Sequence, residues 1–272
     1  MNSESNFDTV RFCEGIELHP ARIMKMISAT RLGRTVVLCE EIDSTNRIAA
    51  DAAARGAPEG ALFVALRQYA GRGRKERDWV STEEGSLIFS IILRPLQSPE
   101  SLTTLLGLAV AQTIDEISPE IETGIKWPND IFIQGRKVAG ILAESRGKDT
   151  IIGIGIDINE TEDDFSDELK DIAVSLRIAS GRRLDRGRLL AAIIDRFEIL
   201  YTRWEREGLS IFKFDIEKKL LWKGMEASIE TGDRDFSGIV SGITSEGYLR
   251  IESGAEERVF QAGDLSLRVE DR

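Results

Sequence analysis

Histidine is almost missing from this 272-residue chain: His19 is the only one, and it lies in the N-terminal segment. Ser-His and Cys-His nucleophiles and multi-histidine metal sites are therefore disfavoured, and the chemistry falls to cations, amides, carboxylates and bound metal. Cysteine is nearly as scarce. Cys13 and Cys39 are too few for a disulfide framework and wrongly spaced for a zinc site, so both read as reduced structural thiols. Long apolar runs are absent as well; nothing approaches the roughly 18 residues a membrane helix requires. Glu4, Asp8, Glu14 and Glu17 stand where a signal peptide would be basic and then apolar. A cytoplasmic protein without a membrane partner is expected. Positive charge is in deficit overall, with a formal net charge of -11, which argues against broad nucleic-acid binding. At 42% hydrophobic and 31% charged, the chain has an ordinary soluble composition and a length suited to one or two domains.

Against that deficit, the segment from Arg67 to Trp79 gathers Arg67, Arg72, Arg74, Lys75 and Arg77 around two glycines. Like charges crowded on one loop repel, so either the loop is a solvated flexible face or an anion arrives there. Gly71 and Gly73 permit close backbone approach, letting amides and guanidinium groups converge on one phosphate or carboxylate.

Periodicity predicts strands at Thr35–Glu40, Ala61–Leu66, Leu87–Leu93, Val138–Ala143 and Thr150–Ile156, with Ile125 and Ile131–Ile133 flanking a turn. It predicts helices at Asn46–Arg55, Ser101–Ile117 and Asp185–Arg206, and a short amphipathic piece at Ala21–Ile27. The fold class is α+β, a mixed sheet covered by helices. From about residue 220 the texture changes to short strands broken by glycine turns: Glu226–Glu230, Gly238–Ile243, Tyr248–Glu252, Arg258–Gln261 and Ser266–Val269. The expected division is an N-terminal arm over 1–30, partly ordered, a main domain over 31–219, and a small β-barrel over 220–272.

Four further segments carry polar groups in unusual settings. Asp43-Ser44-Thr45-Asn46 opens a helix, either as a simple N-cap or as a set of hydroxyls and an amide for a compact polar ligand. Lys126-Trp127-Pro128-Asn129-Asp130 fits a hairpin, except that Lys126 and Trp127 are unexplained by turn chemistry. Trp127 offers a face for a purine, and Asn129 with Asp130 suits a triphosphate and its Mg²⁺. Lys137 leads an apolar strand through Gly140 to Glu144, as a snorkelling surface residue or as a cation for a substrate carboxylate. Gly153-Ile154-Gly155-Ile156-Asp157-Ile158-Asn159 is a strand whose glycines mark close approach of a ligand or another backbone.

Each segment is weak alone, but their order is specific. From about residue 32 to the end, the chain resembles the biotin protein ligases, including a close at Asp264-Leu265-Ser266-Leu267-Arg268 similar to that family's C-terminal SH3-like barrel. The resemblance implies the biotin–lipoate ligase catalytic fold, related to class II aminoacyl-tRNA synthetases. It implies an enzyme that uses ATP and Mg²⁺ to convert biotin to biotinyl-5′-AMP, and then transfers the biotinyl group to one lysine of a biotin carboxyl-carrier domain of a carboxylase. The implied biotin contacts are Ser44, Thr45, Asn46, Gln68, Gly71, Arg72, Gly73, Lys137 and Gly140. Those of ATP and the adenylate are Arg74, Arg77, Trp79, Trp127, Asn129, Asp130 and Asp157, with Asp130 as the metal carboxylate. Lys137 and Arg74 are the catalytic pair: Lys137 for the carboxylate and the forming acyl phosphate, Arg74 for retaining the adenylate. Residues 68–82 form the candidate lid, and Glu160–Phe165 a second, solvent-exposed one.

Two positions depart from the family pattern. Glu76 stands where glycine is usual, and Asp157 where asparagine is usual; a carboxylate beside phosphate repels it unless Mg²⁺ or Arg intervenes. The segment before Ser44 is short and not basic, so specific DNA binding is not expected, while a homodimer is compatible with the resemblance. Three other readings compete: a lipoate ligase or transferase, a non-catalytic biotin or nucleotide sensor, and an RNA-binding protein using the cationic loop.

Overall fold

The computed structural model describes residues 17–76, 78–231 and 235–267. Cys13, Arg77, Arg268, Val269 and residues 1–16 of the expected arm lie outside them.

In chain order the elements are α1 (Pro20–Met26), β1 (Val36–Ile42), α2 (Thr45–Ala54), β2 (Leu62–Gln68), the short β3 (Gly71–Arg72) and β4 (Asp78–Trp79), and β5 (Ser86–Leu93). Then come α3 (Leu102–Ile117), β6 (Thr123–Lys126), β7 (Asp130–Ile133), β8 (Arg136–Arg146), β9 (Asp149–Asp157), α4 (Asp167–Lys170), α5 (Leu176–Ser180), α6 (Arg186–Glu207) and α7 (Lys213–Lys219). β10 (Glu226–Glu230), β11 (Asp235–Ile243), β12 (Leu249–Ser253), β13 (Glu256–Phe260) and β14 (Asp264–Leu267) complete the described chain.

Seven strands form the main sheet in the order β1-β2-β5-β9-β8-β7-β6. β1 and β2 run parallel, which requires a crossover, and α2 supplies it. All the other pairs are antiparallel. β5 and β9 lie at the centre, and every residue of β5 is buried, which is why it reads as a continuous apolar run rather than an alternating one. The two faces of the sheet nevertheless differ. Leu87, Phe89, Ile91 and Leu93 of β5, with Ile152, Ile154 and Ile156 of β9, join the main core beneath α3 and α6. Ile92 and Ile151 face the other way, into a smaller cluster with Phe63 and the alanine stripe Ala49, Ala50 and Ala53 of α2. Alternation thus leaves Ser86, Ile88 and Ser90 of β5 and Gly153, Gly155 and Asp157 of β9 on the α2 side.

Residues 17–32 pack into the main core through Leu18, Ile23, Ile27, Ala29 and Leu32, and α1 rests on α6. The chain then turns under Glu198 of α6, whose carboxylate accepts the backbone N–H groups of Thr30, Arg31 and Leu32 at 2.6–2.7 Å.

The C-terminal unit is a five-stranded antiparallel sheet, ordered β13-β12-β11-β10-β14. Its interior, with Ala227, Ile229, Val240, Ile251 and Leu265, is continuous with the main core. So small a sheet buries little surface by itself, and it is fastened to its neighbour. Trp127 Nε1 donates to the Gly247 carbonyl at 2.9 Å, Tyr248 hydroxyl bonds Glu100, and the backbone N–H of Ile243 donates to Glu217 at 3.1 Å. Glu217 also pairs with Lys223 at 2.6 Å.

Candidate active site

On the α2 side of the sheet lies a cavity of about 590 Å³. Its floor is glycine for a steric reason. A Cβ on Gly153 would collide with Asn46 Oδ1, and one on Gly155 would collide with the indole of Trp79. The strand can therefore accept α2 and the tryptophan at backbone contact only where side chains are missing.

One wall is a closed hydrogen-bond network. Ser44, the N-cap of α2, makes no side-chain cap. Instead Gln68 Oε1 on β2 accepts from the Thr45 backbone N–H at 2.6 Å and from its hydroxyl at 3.1 Å. Ser90 hydroxyl meets Thr45 Oγ1 at 2.8 Å and Asn46 Oδ1 at 2.7 Å, and Asn46 Nδ2 donates to Glu144 at 2.7 Å. Thr45, Asn46, Gln68 and Ser90 are all buried, so this mutual satisfaction is what makes their burial tolerable.

The cations sit opposite. Lys137 is fixed by backbone pairing on both sides, its N–H donating to Ile172 O and its carbonyl accepting from Val174 N–H, both at 2.8 Å. Its Nζ lies 2.9 Å from Asp130 Oδ1 and 5.6 Å from the centre of the Trp79 ring. Asn129 Nδ2 donates to Asp130 Oδ1 and to the Ile141 carbonyl, and its Oδ1 accepts from Arg74 at 3.1 Å. Arg74 also reaches the Gly263 carbonyl at 3.3 Å, and the adjacent Lys75 pairs with Asp264 at 2.7 Å. The arginine loop is thus tied to the C-terminal sheet. β3 and β4 fold it into a two-stranded ribbon whose tip places Lys75 at φ 53°, in the left-handed region that non-glycine residues rarely adopt.

A third group is unlike the others because it is incomplete. Asp157 and Glu160 are 6% and 2% exposed, and both line the cavity. Glu160 Oε1 accepts the hydroxyls of Ser86 at 2.5 Å and Thr82 at 3.3 Å, whereas its Oε2 and the Trp79 Nε1 have no partner. Burial raises the Glu160 carboxyl above the usual carboxylate range, against which the Ser86 bond pulls. Burial, and then the Glu160 charge, raise Asp157 well above that range, with Lys137 opposing. Arg186 secures the start of β5: its buried guanidinium donates to the Glu83 and Ser86 carbonyls at 2.7 and 2.9 Å and pairs with Glu17 at 3.0 Å.

Of the residues singled out in the sequence, Ser44, Thr45, Asn46, Gln68, Gly73, Arg74, Trp79, Asn129, Asp130, Lys137, Gly140 and Asp157 line this one cavity. Trp127 does not. It is 3% exposed and points into the core towards Gly247, because it begins the turn after β6, where its indole N–H is taken by the docked C-terminal sheet, while Lys126 at the strand's end lines the cavity. Gly71 lies outside the lining, packed under Trp79 and Gln68. The Arg72 side chain and Arg77 lie outside the described residues. Glu160–Phe165 is not uniformly solvent-exposed, since Glu160 and Phe165 are buried and only the turn between them faces water. Sequence reasoning gave no site role to Ser90, Phe132 or Ile172, noted Lys126 and Asp264 without assigning them one, and placed Thr82 and Glu160 only in candidate lids. The alternation of Ser86 and Ser90 within an apolar strand was the one local signal available for the β5 wall.

A mixed sheet with a glycine floor, convergent cations and a small appended sheet defines a ligase of the biotin and lipoate class. Residues 38–159 match the Biotin/lipoate A/B protein ligase family, and residues 228–268 match the Biotin protein ligase C terminal domain. The chain is 41% identical over 244 residues to the bifunctional ligase/repressor BirA of Bacillus spizizenii, covering 87% of this chain and 75% of that one. It is 29% identical to the biotin--[acetyl-CoA-carboxylase] ligase of Mycobacterium tuberculosis, covering 89% and 92% of the two chains. Among solved structures, the biotin protein ligase from Aquifex aeolicus in complex with biotin and ATP superposes with a TM-score of 0.78 at 32% identity, covering 86% of this chain and 99% of that one. The chain belongs to the biotin protein ligase family.

Proposed function

We propose that this enzyme joins biotin to ATP within the cavity, releasing pyrophosphate, and passes the biotinyl group from biotinyl-5′-AMP to a lysine of a biotin carboxyl-carrier domain. The observation that carries the reading is the convergence of Lys137, Arg74 and Asn129 on one glycine-floored cavity. A carboxylate and a triphosphate repel each other, and cations positioned beforehand cancel that repulsion without reorganising when charge moves. Lys137 holds the biotin carboxylate and then the linkage to the α-phosphate, exchanging its Asp130 partner for the ligand. Arg74 moves from Asn129 and Gly263 to the phosphate side and retains the adenylate. Each charge-assisted hydrogen bond contributes about 1.5–3 kcal/mol. Thr45, Asn46 and Gln68 present the hydroxyls and amides that a buried ureido ring needs, and Ser44 stands beside them.

The second step needs the activation that the first provides. An acceptor lysine of ordinary pKa lies about 4.6 kcal/mol from its nucleophilic form at pH 7, and the mixed anhydride supplies the drive. That anhydride is prone to hydrolysis, so the ribbon carrying Arg74 and Trp79 also serves to exclude water. Magnesium enters with the triphosphate. Asp130 has one oxygen committed to Lys137 and Asn129, and a single carboxylate beside phosphate oxygens suits a metal held chiefly by its nucleotide.

A cytoplasmic enzyme with no specific DNA partner, compatible with a homodimer, completes the proposal; α1, the described N-terminal helix, is committed to packing on α6. The test is incubation with ATP, magnesium, biotin and a carrier domain, read by intact mass. One biotinyl addition per carrier is expected. Addition of lipoate instead, or tight biotin binding without any addition, would remove the proposal.

A further inference from the structure

Glu160, with an unpartnered carboxyl oxygen, and the buried Asp157 near it in the cavity wall have no task in the mechanism above. Resting on the proposed reading of the cavity, we propose that the two form a buried carboxyl pair that carries one proton in the working enzyme, with Asp157 as the neutral, hydrogen-bond-donating member facing the acyl phosphate.

The geometry comes first. Both side chains line the cavity and both are more than nine-tenths buried, and Glu160 Oε2 has no partner. The segment is held in place from three sides. Asn159 N–H donates to the Gly85 carbonyl at 3.0 Å, Asn159 Oδ1 accepts from Leu184 N–H at 2.9 Å, and Ser175 hydroxyl donates to the Glu160 carbonyl at 2.7 Å. These bonds fix the backbone that carries both carboxyls, and Ser86 and Thr82 hold the Glu160 carboxyl itself. Two ionised carboxylates in one dry pocket repel, and each has lost its hydration, so the favourable state keeps a proton.

The charged surroundings decide which member keeps it. Glu160 has Ser86 and Thr82 donating to one oxygen, which favours its ionised form. Among the described residues, Lys137 on β8 is the cation that acts on Asp157, and it is shared with Asp130 on β7. Asp164 and Asp171 also line the cavity and add negative charge. Arg186 of α6 and Arg177 of α5 approach, but their guanidinium groups bond backbone carbonyls, Arg186 those of Glu83 and Ser86 and Arg177 that of Asn159 at 3.4 Å. The proton therefore belongs on Asp157, which has no hydroxyl donor of the kind that Ser86 and Thr82 give Glu160. A neutral Asp157 offers an O–H where an ionised one would repel phosphate, which resolves how an acid is tolerated at a position suited to an amide. Asp157 and Glu160 are positioning residues, and the site turns off as the pair gives up its proton.

The experiment is biotin-dependent ATP–pyrophosphate exchange, which needs no acceptor lysine, measured against pH for the wild type, Asp157→Asn and Glu160→Gln. The ratio of variant to wild type cancels the titration of ATP and pyrophosphate themselves. In the wild type, kcat/KM for ATP falls on the alkaline side by about tenfold per pH unit, the slope of one proton. Asp157→Asn abolishes that fall. Glu160→Gln moves it to lower pH, because Asp157 then titrates without a neighbouring charge. Infrared difference spectra of wild type minus Asp157→Asn, without substrates, show the C=O stretch of a neutral carboxyl at neutral pH. A profile unchanged in both variants, an Asp157→Asn enzyme inactive at every pH, or carboxylate bands alone in the difference spectrum would overturn the inference. Absence of exchange in the wild type at any pH would instead refute the ligase reading, and the infrared arm would still decide the pair.

Discussion

The two walls of the cavity use similar residues to opposite ends. On the α2 side, Thr45, Asn46, Gln68 and Ser90 bond one another and leave no fully buried polar atom without a partner. On the β9 side, Asp157 and Glu160 are as deeply buried, yet Glu160 keeps a carboxyl oxygen without a partner, as the half-buried Trp79 beside them does its indole N–H. Satisfied groups rigidify, whereas unsatisfied ones cost folding free energy that a ligand can return. The first wall is accordingly preformed for the compact polar ring proposed to bind there, and the second keeps unfavourable burial in the ligand-free protein.

Substitutions at the cavity test this contrast. The largest effect is expected from Lys137→Ala, which removes the cation proposed to serve both reactants: biotin-dependent exchange falls about 100-fold or more, while the thermal midpoint stays close to wild type because the side chain is partly exposed. Next, Arg74→Gly permits adenylate formation but loses the product, and free biotinyl-AMP appears in solution about tenfold faster, as judged by chromatography of the quenched reaction.

The satisfied wall responds in stability. Ser90→Ala leaves buried Thr45 and Asn46 atoms short of a partner and lowers unfolding free energy by about 1–3 kcal/mol in denaturant titrations. The unsatisfied wall behaves oppositely, in a pH-dependent way. The Asp157 carboxyl is raised in the folded protein, so its contribution is fully present below the unfolded value and is lost as pH rises through the folded one. Relative to wild type, Asp157→Asn therefore becomes progressively more stable on going from mildly acidic to mildly alkaline pH, by about 1.4 kcal/mol for each pH unit between the two values. Thermal melts across pH check this, and a constant difference would contradict it. The smallest effect belongs to Asp264→Asn, which loosens the ribbon through a partly exposed pair and changes stability by less than about 1 kcal/mol.

Much of this was legible in the chain itself. β5 and β9 announce themselves as apolar strands, and Gly153 and Gly155 signal close approach, because these are local properties of a strand in a sheet. Lys137 and Arg74 stand out as cations in an acidic protein. Trp127 misled for the opposite reason: its neighbours Lys126 and Asn129 line the cavity, but the turn after β6 sends the indole to the domain junction, and only the docked C-terminal sheet reveals its partner. Glu160 was hidden among exposed acids, since its burial depends on Ser86 and Thr82, some seventy-five residues away in sequence. Asp264 reaches the site through contacts between two sheets that no local pattern encodes.

The most direct measurement is a crystal of the protein soaked with biotin and ATP. The account predicts both molecules in the glycine-floored cavity, with Lys137 Nζ between the biotin carboxylate and the α-phosphate and Arg74 drawn away from Asn129. The two ligands in separate, distant cavities would contradict it.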